Sequence, residues 1–130
     1  MLAGMADSLV RLHEAVIAAR NAGSESSRTA RLLHAGRAKM AKKVAEEAVE
    51  VAMEAVKGNR DEIVRESADL LYNLVVLWVS AGVHPDEVWH EMDRRERLFG
   101  IAEKLAKSDR SAGTRRQILR VDGRCVPRQR

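Results

Sequence analysis

The stretch EEAVEVAMEAVKGNRDEIVRESAD, Glu46 to Asp69, decides the fold. At its centre stands Lys57-Gly58-Asn59-Arg60-Asp61-Glu62. Lysine suits the last turn of a helix, Gly-Asn stops one, and paired acids suit the first turn of the next. So short a connection joins antiparallel neighbours, and the stretch predicts a helical hairpin. Acids recur on both arms: Glu46-Glu47-x-x-Glu50 before the turn, Glu66-x-x-Asp69 after it. Residues three or four apart share a helix face, so Glu47 points with Glu50 and Glu66 with Asp69. Glu50 precedes the turn by about nine residues and Glu66 follows it by about seven, which at ~1.5 Å per residue sets both clusters at similar heights. No basic residue lies within either cluster. Carboxylates converging in this way repel one another. A hard divalent cation such as Mg²⁺ removes the repulsion, because it takes oxygen ligands and keeps waters for a phosphate substrate.

Helical periodicity continues outward from the hairpin. Its first arm runs from about Ala38 to Lys57, with Met40, Val44, Ala48, Val51 and Ala55 on the apolar face. The second runs from about Arg60 to Ala81 and is apolar nearly all round from Leu70 to Val79, which calls for neighbours on every side. In so small a chain a second subunit is the expected source of some of them. Upstream, Met5, Leu9, Leu12 and Val16 mark an amphipathic helix over 5–20. Asn21 to Ser27 is a polar break, and Thr29 to Ala35 predicts a short helix with Leu32 and Leu33 buried, ended by Gly36. Downstream, Gly82 stops the second arm and Pro85-Asp86-Glu87 opens a further helix, with Val88, Met92, Arg95 and Phe99 on one face. The fold class is all-α: a bundle of four to five helices built on an antiparallel hairpin and completed by dimerisation.

Composition agrees. The chain has 130 residues, enough for one domain, and its aromatic residues are limited to Trp78, Trp89, Tyr72 and Phe99. Ala, Leu, Val, Glu, Lys and Arg dominate, which favours helix over sheet. The formal charge of +4 is a property of the C-terminal end. Residues 107–130 carry eight Lys and Arg against Asp109 and Asp122, a net of +6, which leaves −2 for the rest. The domain is read as 1–108, and 109–130 as a basic, poorly ordered tail. No basic patch of the kind a nucleic-acid binder presents is visible on the body, so nucleic acid is not an expected partner. The longest apolar run, Leu74 to Val79, falls far short of the ~20 residues of a membrane span, and Arg11, His13 and Glu14 interrupt any signal-peptide core. A single cysteine, Cys125, excludes an internal disulfide. The expected location is the cytoplasm.

Helices are rich in glutamate, and most charged runs are solvated faces. Here the second cluster leads directly into the most apolar stretch of the chain, and aspartate needs a reason to sit mid-helix, so Asp69 is expected away from the outer face. Lys39, Lys42 and Lys43 lie one to two turns before Glu47. Lys43 either pairs with Glu47 at i, i+4 or contacts a phosphate. Asn73, one turn past Asp69, either binds substrate or satisfies a carboxylate. Tyr72 and Trp78 read as core. His13, His34, His84 and His90 lack metal-ligand spacing, Cys125 has no histidine beside it, and there is no GxxxxGK[ST] loop.

Lys43-Val44-Ala45-Glu46-Glu47-Ala48-Val49-Glu50-Val51, followed by Glu66-Ser67-Ala68-Asp69-Leu70-Leu71-Tyr72-Asn73-Leu74-Val75-Val76-Leu77, resembles the phosphoribosyl-ATP pyrophosphohydrolase family. That family sits among the MazG-like all-α nucleoside triphosphate pyrophosphatases, which share an EExxE…ExxD signature. The likeness runs from about Ser27 to Lys107 and includes Thr29, Gly36 to Lys43, and Arg94-Arg95…Gly100…Glu103-Lys104. It implies a dimeric α-bundle that binds Mg²⁺, Mn²⁺ being a possible substitute. It also implies cleavage of the α–β phosphate bond of phosphoribosyl-ATP to phosphoribosyl-AMP and pyrophosphate, the second step of histidine biosynthesis. Glu47, Glu50, Glu66 and Asp69 match the metal ligands, and Glu46 the further glutamate of the motif. Ala45 stands where the family usually has glycine, Asn73 where histidine is usual, and Arg28 where an aromatic often precedes the threonine.

The expected mechanism is metal-assisted hydrolysis in which Mg²⁺ bridges triphosphate oxygens and activates a water. Glu46 would accept the water's proton, while Lys43, Lys39 or Arg95 would hold the departing pyrophosphate. Catalytic candidates are therefore Glu46, Glu47, Glu50, Glu66 and Asp69, and substrate-binding candidates Lys39, Lys43, Asn73 and Arg95. Two rivals stand beside this reading. One is a house-cleaning pyrophosphatase acting on non-standard nucleotides with the same acids. The other is a helical module whose tail binds nucleic acid, which leaves the acid pairs unexplained.

Overall fold

A computed structural model describes residues 2–23 and 25–99, with side chains from Ser8 onward. Met5 as a core side chain, the Gly100…Glu103-Lys104 ending and the basic tail lie outside the described residues. All regular structure among the described residues is helical, as expected: α1 (Leu2–Asn21), α2 (Arg28–Ala35), α3 (Arg37–Lys57), α4 (Arg60–Ala81), and a fifth helical segment, α5, over 85–99. The chain forms two compact units, which meet in sequence between Val88 and Trp89. No described helix is long and apolar enough to cross a membrane.

Local chemistry fixes the helix ends. Ser27 caps α2, its hydroxyl accepting from the Ala30 amide at 3.0 Å, and Asn59 caps α4 by accepting from the Glu62 amide at 3.4 Å. Gly58 closes α3 with φ +74°, and its amide donates to the Ala55 carbonyl. The amide of Asn59 reaches the Glu54 carbonyl. Orphan carbonyls are thereby satisfied as the chain reverses. Gly36 alone separates α2 from α3, at φ +103° and ψ 163°, a region essentially closed to residues with a Cβ.

The α3–α4 hairpin is the most extensive helix pairing. α1 packs on α4, and α2 bridges α1 and α3 with a smaller contact on α4. The core gathers Val16 from α1, Met40 from α3, and Val75, Val76 and Val79 from α4, with Leu9, Leu12, Ile17, Leu32, Leu33, Tyr72, Leu77 and Trp78 packed around it. Arg37 donates to the Ser80 carbonyl at 2.9 Å and ties the start of α3 to the end of α4.

Some expected burial is absent. Leu32 and Leu33 are half-buried, and Ala30 is the residue of α2 that is buried. On α3, Ala48 and Ala55 are exposed, because the face turned to α4 is centred on Met40, Val44 and Val51. α4 is not enclosed on all sides either, since Val64 and Leu71 are exposed.

Candidate metal and phosphate site

The hairpin brings its two acid clusters together. Glu47 of α3 and Glu66 and Asp69 of α4 each offer a carboxylate oxygen, and these oxygens lie within 4.8 Å of one another. Ligand oxygens on opposite sides of a hard divalent cation stand about 4–5 Å apart, so this group fits such an ion in donor type and in span. Glu50 lies outside the three-residue group, yet its carboxyl is near enough to Glu47 and Glu66 to raise the pKa of both. Asp69 is exposed, contrary to expectation. The buried face of α4 is carried by Asn73, Val75, Val76 and Val79, and the acid end of the helix opens to solvent on the flank of the hairpin.

Electrostatics record the crowding. Glu66 is pushed up to about 7, first by the neighbouring carboxyl of Glu50, then by partial desolvation and by the charges of Glu50, Glu47 and Asp69. Glu47 is also raised, by desolvation first and then by Glu50 and Asp69, while Lys43 pulls the other way. Both carboxylates are short of positive charge, which is the condition a bound cation relieves.

The remaining candidates fall into three places. Glu46 is not part of the cluster. It is exposed and joins Lys42 at 3.8 Å and Lys43 at 3.4 Å. The ion pair of Lys43 is thus with Glu46 at i, i+3 and not with Glu47. Lys39, Lys43 and Asn73 line one cavity of about 300 Å³, shared with Arg28, Arg31 and Leu32. Asn73 is buried, and its amide nitrogen donates to the Asp69 carbonyl at 2.9 Å, which anchors the backbone beside the acid cluster. Arg95 lies in the second unit, where it and Arg94 grip Glu91 at 2.8 and 2.7 Å. These two guanidinium groups hold Glu91 down at about 2.

Sequence reading missed Arg28 and Arg31 as cavity residues. Their i, i+3 spacing on a short helix was the available signal, but one face of α2 is as good as another until the helix is docked. Docking combines the packing of Ala30, Leu32 and Leu33 with a 2.5 Å hydrogen bond between the hydroxyls of Thr29 and Tyr72 on α4.

Known proteins resemble this chain over most of its length. A model of the family described as phosphoribosyl-ATP pyrophosphohydrolase matches residues 9–96, which include both acid clusters and all of α2. A Rhodopseudomonas palustris protein named phosphoribosyl-ATP pyrophosphatase 2 is 57% identical over 131 residues, covering 97% of this chain and 100% of the relative. Its namesake from Bradyrhizobium diazoefficiens is 56% identical, covering 92% of this chain and 96% of the relative. A phosphoribosyl-ATP pyrophosphatase from Gluconobacter oxydans is 50% identical over 81% of this chain and 79% of its own length. On the family match and on these identities, the chain belongs to the phosphoribosyl-ATP pyrophosphohydrolase family.

Proposed function

We propose that this chain hydrolyses phosphoribosyl-ATP to phosphoribosyl-AMP and pyrophosphate, the second step of histidine biosynthesis, with Mg²⁺ as its cofactor and Mn²⁺ as a competent substitute. The observation that carries the reading is the meeting of Glu47, Glu66 and Asp69 across the hairpin, next to a cavity lined with cations. Family membership supplies the substrate. A divalent cation held there supplies charge neutralisation for the triphosphate and a more acidic water.

The residues of the chain account for the rest. Glu47, Glu66 and Asp69, with Glu50 beside them, hold the cation and fix where the triphosphate docks. Lys43 lies one turn before Glu47 and presents its ammonium group to the phosphoryl oxygens, where negative charge builds as the anhydride breaks. Both ammonium neighbours of Glu46 occupy its carboxylate, so Glu46 positions Lys43 instead of accepting a proton in the cluster. Asn73 holds the α4 backbone at Asp69 and lines the cavity. Leu32 walls the same cavity and keeps water from its side. No nucleophilic side chain is required.

We further propose a homodimer. Val49, Met53 and Val56 recur at i, i+4, i+7 on α3, and Val56 is 90% exposed. Val49 lies about two and a half turns from the buried Met40, so the stripe faces away from α4. Val64 and Leu71 add exposed apolar surface on the partner helix of the hairpin. A second copy that packs its own hairpin against this surface covers the stripe with matching side chains.

Pyrophosphate release from phosphoribosyl-ATP, measured beside a panel of nucleoside triphosphates, tests the activity. Wild-type protein should prefer phosphoribosyl-ATP and require Mg²⁺. Asp69→Asn should keep the helical circular dichroism spectrum and lose turnover by orders of magnitude. Equal turnover of ordinary triphosphates would instead favour a house-cleaning role.

A further inference from the structure

Three cations line the α2–α3 cavity without a carboxylate partner. Among the described residues, neither Arg28, Arg31 nor Lys39 forms an ion pair, whereas Lys43 is joined to Glu46. The four positive residues line one cavity of about 300 Å³, and the buried Asn73 lines it with them. Lys43 alone of the four has a counter-ion among the described residues, and an anion in the cavity would pair with the other three. The cavity is at the small end for ligand pockets. It has room for a sugar phosphate and not for a whole nucleotide that bears two ribosyl arms.

The two helices contribute differently. Lys39 and Lys43 sit on α3, the helix that carries Glu47 and Glu50, and Lys43 is the member nearest the acids. Arg28 and Arg31 sit on α2, beyond the Gly36 corner, at i, i+3 spacing on one face. Guanidinium groups form planar paired hydrogen bonds with phosphate, which a lysine does not. α2 is also held in place independently of the acids, by the Thr29–Tyr72 hydroxyl bond.

We propose that Arg28 and Arg31 form a second phosphate anchor, which grips a monophosphate on the arm of the substrate remote from the bond that breaks. The proposal rests on the activity proposed above: phosphoribosyl-ATP carries a triphosphate on one ribose and a monophosphate on the other. The acid cluster and Lys43 serve the first, and the α2 arginines serve the second. The arginine pair then selects doubly phosphorylated substrates over ordinary nucleoside triphosphates.

The test uses the full chain and the double variant R28Q/R31Q, whose glutamines keep helix propensity and polarity while removing the positive charge. Pyrophosphate release from phosphoribosyl-ATP is followed, and ribose 5-phosphate is titrated calorimetrically into the free protein. Charge-assisted hydrogen bonds of about 1.5–3 kcal/mol correspond to a rise in KM of roughly 10- to 100-fold. The loss should fall on KM and not on kcat, and any turnover of plain ATP that the wild type supports should be spared. Ribose 5-phosphate should bind the wild type and bind the variant at least roughly tenfold more weakly. A KM within about twofold of wild type, or an equal loss on plain ATP, overturns the proposal. If wild-type protein fails to cleave phosphoribosyl-ATP, the activity above falls. The anchor then stands or falls on ribose 5-phosphate alone: wild-type binding that the variant loses supports it, and no wild-type binding refutes it.

Discussion

Replacing Gly36 by alanine tests how the corner between α2 and α3 builds the cavity. At φ +103° and ψ 163° the backbone lies where a Cβ is strongly disfavoured. A Cβ built there meets nothing within 4 Å, so the penalty is in the backbone alone and not a clash. Holding a non-glycine residue in such a region costs about 1–3 kcal/mol. For a domain of this size that lowers Tm by on the order of 5–20 °C. Gly58→Ala is the control. Gly58 stands at φ +74° and ψ 20°, also with open space around its Cβ, in a left-handed conformation that other residues adopt at about 1–2 kcal/mol. Urea denaturation should therefore rank Gly36→Ala as the more destabilised of the two. Whatever strain the chain sheds by re-aiming α2 moves Arg28 and Arg31 away from Lys39 and Lys43, so KM for phosphoribosyl-ATP should rise with Gly36→Ala and stay unchanged with Gly58→Ala. Equal losses of stability, or a Gly36→Ala variant as stable as wild type, would refute this account of the corner.

Three further outcomes are expected. The folded-state carboxyl of Glu66 titrates near 7 against an ordinary value of 4.5, so the metal-free folded state binds the extra proton between those values. Its contribution to stability is full below 4.5 and is lost as pH rises through 7, so metal-free protein should lose thermal stability across that window by more than Glu66→Gln does. Parallel curves for the two proteins would contradict the assignment, and Mg²⁺ should restore the wild type at pH 7 and above while doing little for the variant. Charging the exposed α3 stripe with Met53→Glu and Val56→Glu should convert a dimer to a monomer in sedimentation velocity with the helical content unchanged; wild-type protein that sediments as a monomer at every concentration removes the proposed partner. Tyr72→Phe deletes the bond to Thr29, and should cost about 1 kcal/mol of stability and raise KM more than it lowers kcat, because α2 loses its tether to α4; a change in kcat alone would speak against that role.

The hairpin was legible because its signals are local. Gly58-Asn59 stops one helix and starts another, and helical rise then sets Glu47 level with Glu66 whatever surrounds them. The exposure of Asp69 was not legible. An acid followed by Leu, Val and Trp reads as buried, yet which side of α4 is covered depends on where α1 and α3 land, and they land on Val75, Val76 and Val79. The same limit hid the outer stripe. Ala48 and Ala55 share a spacing with Met40, and Val49, Met53 and Val56 share an equally regular one, so periodicity offers two faces and packing chooses one. Lys39, Lys43 and Asn73 were found because they lie within a turn or two of the acids. Arg28 and Arg31 were not, because an eight-residue helix is placed by tertiary contacts, among them the Thr29–Tyr72 hydroxyl pair 43 residues apart in sequence and the packing of Ala30, Leu32 and Leu33. Glu46 pairs with two lysines within one turn, a competition among neighbours that spacing alone leaves undecided.

Electron paramagnetic resonance of Mn²⁺ tests the cation site most directly, because free aquated Mn²⁺ gives a strong signal that binding suppresses. Wild-type protein should suppress it saturably and release the ion to excess Mg²⁺, and Glu47→Gln, Glu66→Gln and Asp69→Asn should each leave the signal close to that of buffer. A wild type that leaves the signal undiminished, or an Asp69→Asn variant that suppresses it as well as wild type, would show that these carboxylates do not hold a divalent ion.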